Sequence, residues 1–440
     1  MEIDNNTLED LGIGATDEHF SLFQVIDNCI TSNGRDQLRK DLQTPLPNIK
    51  QIEAIQKTIQ FIGQHIDRWP TGVSNGTIKV VEKFYETAFD PIAPRVNAWN
   101  AAAYKLLHSS DYLLVRYSVI HGVDFIRGNL EWVRLLLQED TPTPLKVLLE
   151  EIESLLPNAV LNLVNQHKTS DAFSPVAYLQ LGYALRMQCK HSINRLLQIH
   201  ARIDAWYGMA IAVRKLNLHF PAFIQSDQPI LEAKELRHLL LEKPVAYDLT
   251  LKQPRHFLFL TGANMAGKST FIKSVGMAVF LAHTGMAVPA AKMQLSYFDG
   301  LLSNINITDN ILKGESYFFN EVQRIKSTIQ KVTNGKKWLI LVDELFKGTN
   351  IQDAMKCSSL VIEGFLKLNN AAFILSTHLY EMGETLQAHP NIDCRYFETQ
   401  VKEDQLTFSY QLKEGISNDR FGYMILKKEG VVKLLEDIQG

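Results

Sequence analysis

A glycine-rich stretch, FLFLTGANMAGKST at residues 257–270, follows an apolar run and precedes a second apolar region. Gly262, Gly267, Lys268 and Ser269 fit the pattern G-x-x-x-x-G-K-[ST], with a predicted strand before it and a predicted helix after it. Small residues allow backbone N–H groups to surround phosphate oxygens, while the lysine neutralises phosphates and the serine hydroxyl suits magnesium. The alternative is a chance glycine turn before a helix. The predicted nucleotide-binding residues are Gly262, Ala263, Asn264, Met265, Ala266, Gly267, Lys268, Ser269 and Thr270.

Two carboxylates end a further apolar run, WLILVDE. Asp343 and Glu344 stand at the carboxyl end of a predicted strand that is apolar on both faces, where an open α/β sheet places its ligands. Asp343 suits coordination of Mg²⁺, and Glu344 suits polarisation of an attacking water. Paired acids at a strand end are often only solvated. The preceding phosphate loop favours the functional interpretation.

His378 ends a third apolar run, AAFILSTH. A histidine at a strand end is more often a polar cap than a catalyst, but a parallel sheet would bring His378 to the same edge as Glu344. Ser316 precedes a predicted helix that starts at Tyr317, and such a helix start can bind an anion. Nothing in its own nucleotide site requires Ser316.

The elements that must position these residues differ between the two halves of the chain. Apolar residues recur at three- and four-residue spacing in NIKQIEAIQKTIQFIGQHIDRW and INRLLQIHARIDAWYGMAIAVRKLN, which predicts helices with one buried stripe each. Short β-rich runs then alternate with helical ones, and CRYFETQV pairs with LTFSYQL as a predicted hairpin. We therefore predict an all-α domain over residues 1–228 and an α/β P-loop domain with a mostly parallel sheet over residues 229–440.

The composition excludes several other classes of protein. The 440 residues are 46% hydrophobic and carry a formal net charge of -3, so any contact with DNA must come from a local patch or an assembled cavity. No apolar tract is long enough to span a bilayer, and the acidic N-terminus does not resemble a signal peptide. We expect a cytoplasmic protein whose four cysteines are reduced.

Several motifs together resemble the ATPase domain of the MutS family of DNA mismatch-repair proteins. They are TGANMAGKST, LAHTGMAVPA, LKGESYFFNE, LVDELFKGTN, STHLYEM and LTFSYQLKEGISNDRFG, in the order of the family. Near the N-terminus, MEIDNNTLEDLGI and SLFQVIDNCITSNGRDQLRKDLQTPL resemble the family's core segment, which leads into long lever helices. The resemblance is weaker over about residues 80–220.

The resemblance implies an ABC-like, Mg²⁺-dependent ATPase in which two subunits pair head to tail. Each ATP would be completed by the partner's signature segment, which places Ser316 against the γ-phosphate held by the other subunit. Asn264 and Met265 match the family's loop, and Thr349 and Asp353 match the segment after the catalytic glutamate. The residues expected to act in catalysis are Lys268, Glu344 and His378, and those expected to hold Mg²⁺ are Ser269 and Asp343.

Six positions depart from the usual family pattern. Ala263 and Ala266 replace Pro and Gly in the loop, which should preserve the phosphate cradle. His283 stands where Gln is usual. Phe346, Lys347 and Asn350 stand in ELFKGTN where Gly, Arg and Ser are typical, which bears on the rate of hydrolysis more than on nucleotide binding.

Mismatch-reading members carry an N-terminal domain with a Phe-x-Glu motif, whose phenylalanine wedges beside the mispaired base. The early match here is Phe84-Tyr85-Glu86 inside a predicted helix, where chance explains it. The sequence begins at the core segment, so we expect a member without the mismatch-recognition and connector domains.

The expected function is that of an ATP-gated homodimer whose levers hold branched or irregular DNA through its backbone, in repair or recombination control. One alternative is an ATP-switched module that binds a protein partner and has little affinity for DNA. A transporter ATPase subunit is a third, although the usual LSGGQ-type signature is missing.

Overall fold

The computed structural model describes residues 1–13, 21–166, 169–306, 317–379, 381–402, 405–417, 430–431 and 434. The chain divides into two compact units. One combines Met1–Val25, Gln43–Ile52 and Leu216–Gly440, and the other combines Ile26–Leu42 and Glu53–Lys215. This division differs from a single boundary near residue 228, because the N-terminal residues pair with a strand of the sheet. The boundary that the sequence predicts between two domains, at residues 228 and 229, remains a prediction.

The N-terminal half is helical, as its apolar periodicity predicts. Its helices are α1 (Asn5–Asp10), α2 (Leu22–Ile26), α3 (Ser32–Gln43), α4 (Ile49–Gln64), α5 (Asn75–Glu86), α6 (Ala98–Leu107), α7 (Ser109–Leu136), α8 (Thr143–Leu155), α9 (Asn158–Asn165), α10 (Pro175–Tyr183) and α11 (Lys190–Lys215). A 3₁₀ turn spans Ile66–Arg68, and a π-helical turn spans Ala184–Gln188.

The helical unit is held by an apolar core between its two longest helices and their neighbours. Trp132 of α7 stacks on His200 of α11 with ring centroids 4.3 Å apart, and Trp69 stacks on Tyr207 at 4.5 Å. Phe84 lies in α5, is 3% exposed and stacks on Phe89 at 5.6 Å. The helix predicted for the Phe-x-Glu string is therefore present, and its phenylalanine belongs to the core.

The other unit contains two sheets. Its further elements are β1 (Glu2–Ile3), β2 (Ala222–Ile224), β3 (Leu231–Leu236), β4 (Tyr247–Leu251), β5 (Phe257–Thr261), α12 (Lys268–His283), β6 (Lys292–Ser296), β7 (Gly300–Asn304), α13 (Tyr317–Val332), β8 (Trp338–Asp343), α14 (Ile351–Phe365), β9 (Ala371–Ser376), α15 (Glu381–Leu386), β10 (Ile392–Lys402) and β11 (Gln405–Glu414). The larger sheet has the order β1-β7-β8-β9-β5-β10-β11, and the smaller has the order β2-β6-β3-β4.

The larger sheet is parallel except for its last pair. Strands β10 and β11 are antiparallel, which confirms the predicted hairpin, whereas β1, β7, β8, β9, β5 and β10 run parallel to their neighbours. Strands β5, β8 and β9 are buried along their whole length. Because these strands lie side by side, the segments that follow them meet at one edge of the sheet.

Within the described part of the chain, no helix is long and apolar enough to cross a membrane.

Candidate functional site

The glycine loop connects β5 to α12 and turns through left-handed backbone conformations. Gly262 has φ of 140°, Met265 of 68° and Gly267 of 107°. A Cβ atom on Gly262 would lie 3.2 Å from the backbone oxygen of Phe397, so the glycine also permits a close approach to β10. The local glycines therefore shape the loop, and the first turn of α12 directs its free N–H groups into it.

Lys268 begins α12 and lies beneath the loop. Its Nζ donates to the carbonyl oxygens of Gly262 at 2.7 Å and Ala263 at 3.1 Å, and the residue is 5% exposed. Burial lowers the pKa of Lys268, although the charges of Glu344 and Asp343 act in the opposite direction. A buried ammonium favours a negative charge nearby.

Ser269 and Asp343 bring two hard oxygen donors together. The Ser269 hydroxyl donates to Oδ2 of Asp343 at 2.5 Å, and the Ser376 hydroxyl donates to Oδ1 of the same carboxylate. Asp343 pairs with Ser376 across β8 and β9, which fixes the carboxylate at the end of the strand. A hydroxyl and a carboxylate are ligands that Mg²⁺ prefers, so the donor set fits this ion.

Glu344 follows Asp343 and is contacted by two basic side chains. Its Oε2 lies 3.4 Å from Nδ1 of His378 and 3.4 Å from Nζ of Lys347. Burial alone would raise the pKa of Glu344, but the hydrogen bond from His378 and the charge of Lys347 outweigh it and lower the pKa to about 2. The hydrogen bond to Glu344 raises the pKa of His378 above its usual value. The pair therefore favours a carboxylate beside an imidazolium.

A cavity of about 460 Å³ is lined by Lys268, Ser269 and Glu344. Asp343 and His378 do not line it but contact Ser269 and Glu344. Its lining residues are Leu241, Lys243, Val245, Tyr247, Asn264, Met265, Gly267, Lys268, Ser269, Thr270, Glu344 and Tyr410. Three of them, Met265, Glu344 and Tyr410, are non-glycine residues with positive φ. Such strained positions concentrate at functional sites, which supports this cavity as the candidate site.

The structure brings most of the predicted residues to this edge of the sheet. The loop residues Ala263 and Ala266 are buried, and Asn264, Met265 and Thr270 line the cavity. Ser316 lies outside the described residues.

Two residues that depart from the usual family pattern, Asn350 and His283, have defined contacts in the structure. Asn350 caps α14, because its side chain accepts from the N–H of Asp353 at 3.0 Å. Asn and Ser are both good helix caps, so this exchange preserves the local structure. His283 is fully buried at the end of α12 and contacts backbone groups rather than the cavity.

One part of the chain matches a known protein family. A family model described as MutS domain V matches residues 258–436, which contain the phosphate loop, Glu344 and His378. The resemblance to the MutS ATPase domain is therefore confirmed over residues 258–436.

Similar proteins named DNA mismatch repair protein MutS match this chain over little more than half its length. The protein of Petrotoga mobilis is 27% identical over 54% of this chain and 29% of its own length. The protein of Lactococcus lactis subsp. cremoris is 28% identical over 58% of this chain and 31% of its own length. The protein of Brevibacillus brevis is 31% identical over 55% of this chain and 29% of its own length. The chain thus spans less than a third of these relatives.

The sequence patterns did not predict five of the residues that line the cavity. Leu241, Lys243 and Val245 enter the cavity from the segment between β3 and β4. Tyr247 enters it from β4, and Tyr410 enters it from β11. None belongs to a spacing pattern that predicts a ligand. The contact of Glu321 with the loop after Glu344 was not predicted either, although Glu321 is the last residue of the motif LKGESYFFNE.

Proposed function

We propose that this chain binds ATP and hydrolyses it with Mg²⁺. The observation that carries the proposal is one cavity lined by the side chains of Lys268, Ser269 and Glu344. Asp343 contacts Ser269 there, and His378 contacts Glu344. These groups match the parts that phosphoryl transfer requires: a phosphate cradle, ligands for a metal, and a group that orients water.

Each residue has a separate role in this proposal. The loop N–H groups and Lys268 bind the phosphate oxygens. Ser269 and Asp343 would hold Mg²⁺, which would neutralise phosphate charge. Glu344 orients and polarises the water that attacks the γ-phosphorus as ADP and phosphate form. His378 donates to Glu344 and would sense the γ-phosphate from the same edge.

The remaining cavity suits the base of the nucleotide. Tyr247 and Tyr410 line it together with Leu241 and Val245, which supply aromatic and apolar surface. Tyr247 is held in place by edge-on contacts with Phe271 at 5.3 Å and with Phe397 at 5.7 Å. A planar base can pack against such side chains, so we assign this end of the cavity to adenine.

Two variants test the assignment. Lys268→Ala should abolish ATP binding, whereas Glu344→Gln should still bind ATP but hydrolyse it about 10²-fold or more slowly. Binding is measured with a fluorescent ATP analogue and hydrolysis by release of phosphate. Lys273→Ala, on the same helix, serves as the matched control. Normal turnover in Glu344→Gln would remove Glu344 from the mechanism.

We further propose that ATP controls the hold of a homodimer on DNA. Support comes from the family and from relatives named for DNA mismatch repair. The proposed substrate is branched or irregular duplex DNA held through backbone contacts, and the proposed role is control of repair or recombination without mismatch reading by this chain.

Gel-shift binding tests the proposal on DNA. Homoduplex, single-mismatch, four-way-junction and single-stranded DNA are compared with and without ATP over a salt series. Backbone binding should weaken with salt with a log-log slope of about -0.9 per phosphate contact. The mismatch should be bound no more than about threefold tighter than homoduplex, since we expect no wedge beside a mispaired base. A hundredfold preference for the mismatch would contradict the proposal.

An exposed helix favours the alternative of a protein-interaction module. In α6 the side chains of Trp99, Leu106 and Leu107 are 86%, 81% and 75% exposed, and Ala101 is the buried residue of the helix. Exposed Trp and Leu are typical of protein contacts. The other four tryptophans are at most 6% exposed, so acrylamide quenching reports on Trp99. If the protein does not shift DNA in the gel and DNA does not shield Trp99 from acrylamide, the protein-interaction module is favoured.

A further inference from the structure

Glu321 is a buried carboxylate on the second turn of α13. It is 2% exposed, its Oε1 accepts from the N–H of Lys347 at 2.9 Å, and its Oε2 accepts from the N–H of Gly348 at 3.1 Å. Both donors lie in the loop that Glu344 begins. One carboxylate therefore binds two successive peptide groups of that loop.

The hydrogen bonds described above for Glu321 connect it to backbone N–H groups of the loop and not to basic side chains. Among the described residues, no side chain of Lys, Arg or His forms an ion pair with it. A buried carboxylate is costly unless its hydrogen bonds are made, so the two N–H donors and Glu321 depend on each other.

The loop is unusually constrained at this contact. Glu344 has φ of 67° and Phe346 has φ of 57°, both in the left-handed region. A Cβ on Gly348 would lie 2.7 Å from the backbone nitrogen of Phe318, so the loop packs directly on the first turn of α13. Strained backbone persists only where its surroundings hold it.

Helix α13 is in turn anchored on its other side. Arg324 donates from Nε to Oδ1 of Asn304 at 2.6 Å and from a terminal nitrogen to the carbonyl of Ser303 at 2.7 Å. The guanidinium also lies 3.1 Å from Asp4. The position of α13 relative to β7 is therefore set by charged contacts one turn after Glu321.

We propose that Glu321 is a positioning residue that fixes the loop of residues 344–348 on α13 and so holds the Glu344 carboxylate in place for hydrolysis. This rests on the proposed ATPase function. Glu321 does not line the cavity, so it acts through the loop and not on ATP. A movement of α13 would be transmitted to Glu344 by the same two hydrogen bonds.

Three variants separate the parts of this contact. Glu321→Ala removes both acceptors, and Glu321→Gln keeps one oxygen acceptor at nearly the same volume. Lys347→Ala keeps the loop N–H but removes the ammonium beside Glu344. Glu363→Gln, at an exposed position of α14, is the matched control.

The first measurement compares hydrolysis with binding. Glu321→Ala should lower the single-turnover rate of bound ATP by about tenfold to a hundredfold, because small displacements of a catalytic group are costly. Its Kd for ATP should change by less than about threefold, and Glu321→Gln should fall between wild type and Glu321→Ala. Wild-type rates in both variants would overturn the proposal, and so would a loss of affinity in parallel with the rate.

The second measurement does not need activity. Hydrogen–deuterium exchange at the amides of Lys347 and Gly348 should speed up in Glu321→Gln by about tenfold, while exchange within β8 stays as in wild type. Unchanged protection of these amides would overturn the proposal even if Glu321→Ala fails to fold. A wild-type protein without ATPase activity would refute the proposed function and leave this measurement valid.

Discussion

At the scale of single residues, the loop after β8 places a phenylalanine where backbone geometry favours glycine. Phe346 has φ of 57°, is buried, and its ring lies 5.8 Å from that of Phe318. A left-handed conformation costs a residue with a Cβ about 1 kcal/mol or more. The family resemblance places glycine here, so in this chain aromatic packing must offset the strain.

We expect Phe346→Gly to be more stable than Phe346→Ala by about 1 kcal/mol, although both lose ring packing worth about 3–5 kcal/mol. Only the glycine variant also loses the strain of a Cβ at positive φ. Urea unfolding of the two variants measures the difference. Equal stability, or a more stable alanine variant, would show that residue 346 is unstrained.

His283 is a second residue that departs from the usual family pattern and has a defined structural role. Its Nδ1 lies 2.7 Å from the carbonyl oxygen of Val279 and must donate, while its Nε2 accepts from the N–H of Phe298 at 3.0 Å. The contact at Nε2 requires the neutral ring, because a protonated Nε2 cannot accept a hydrogen bond. Burial lowers the pKa of His283 to about 3.

This histidine predicts an acid sensitivity of the fold. The unfolded chain binds a proton at His283 below about pH 6.5, whereas the folded protein does so only near the lowered pKa. Its contribution to the free energy of unfolding is therefore present above pH 6.5 and falls by about 2 kcal/mol at pH 5.

His283→Gln should remove this part of the pH dependence, because the amide can donate to Val279 and accept from Phe298 without titrating. Urea unfolding of both proteins at pH 7 and pH 5 measures it. An identical loss of stability in both proteins would exclude His283 as the cause.

At the scale of elements, the N-terminal residues complete the end of β7. Strand β1 pairs with β7, the Thr7 hydroxyl accepts from the N–H of Ser303 at 2.9 Å, and the Ser303 hydroxyl donates to Asp10. The Asp10 carboxylate also accepts from the N–H of Ile305 at 3.0 Å and of Asn306 at 2.9 Å. Helix α1 thus satisfies backbone groups where the strand ends.

Asp10→Ala should destabilise this unit by about 2–3 kcal/mol, because it leaves buried N–H groups without acceptors. Asp10→Asn keeps an oxygen acceptor and should cost less. Thermal unfolding measures both, with the exposed Glu9→Ala expected within about 0.5 kcal/mol of wild type. If Glu9→Ala costs as much as Asp10→Ala, the effect arises from α1 in general.

At the scale of the whole molecule, we predict that the ATP sites are shared between two copies. Ser316 of one copy would contact the γ-phosphate held by Lys268 of the other, a prediction that falls outside the described residues. A chain with Ser316→Arg and a chain with Lys268→Ala should each be nearly inactive alone.

Mixing the two chains should restore part of the ATPase activity, because one of the two composite sites in the heterodimer carries neither defect. This requires that one intact site can turn over by itself. Light scattering provides the control, since ATP should promote pairing of wild-type chains but not of Ser316→Arg chains. Wild-type hydrolysis by monomeric Ser316→Arg would refute shared sites and leave Ser316 as a helix cap.

The sequence by itself determined the features that depend on local spacing. The glycines of residues 262–267 impose the left-handed turns of the loop, and the apolar runs before Asp343 and His378 form buried strands. Because those strands are parallel neighbours, the chain's own pattern was enough to predict that Asp343, Glu344 and His378 approach the loop.

Only the tertiary structure decided the contacts between residues distant in sequence. Tyr247 and Tyr410 meet at one cavity because β4 and β11 bring them there, and no periodicity links them. Strand β1 has two residues, too few for any pattern, and its place depends on the free edge of β7. Likewise, the backbone donors of Lys347 and Gly348 have no sequence signature, so the packing of α13 against the loop alone reveals the role of Glu321.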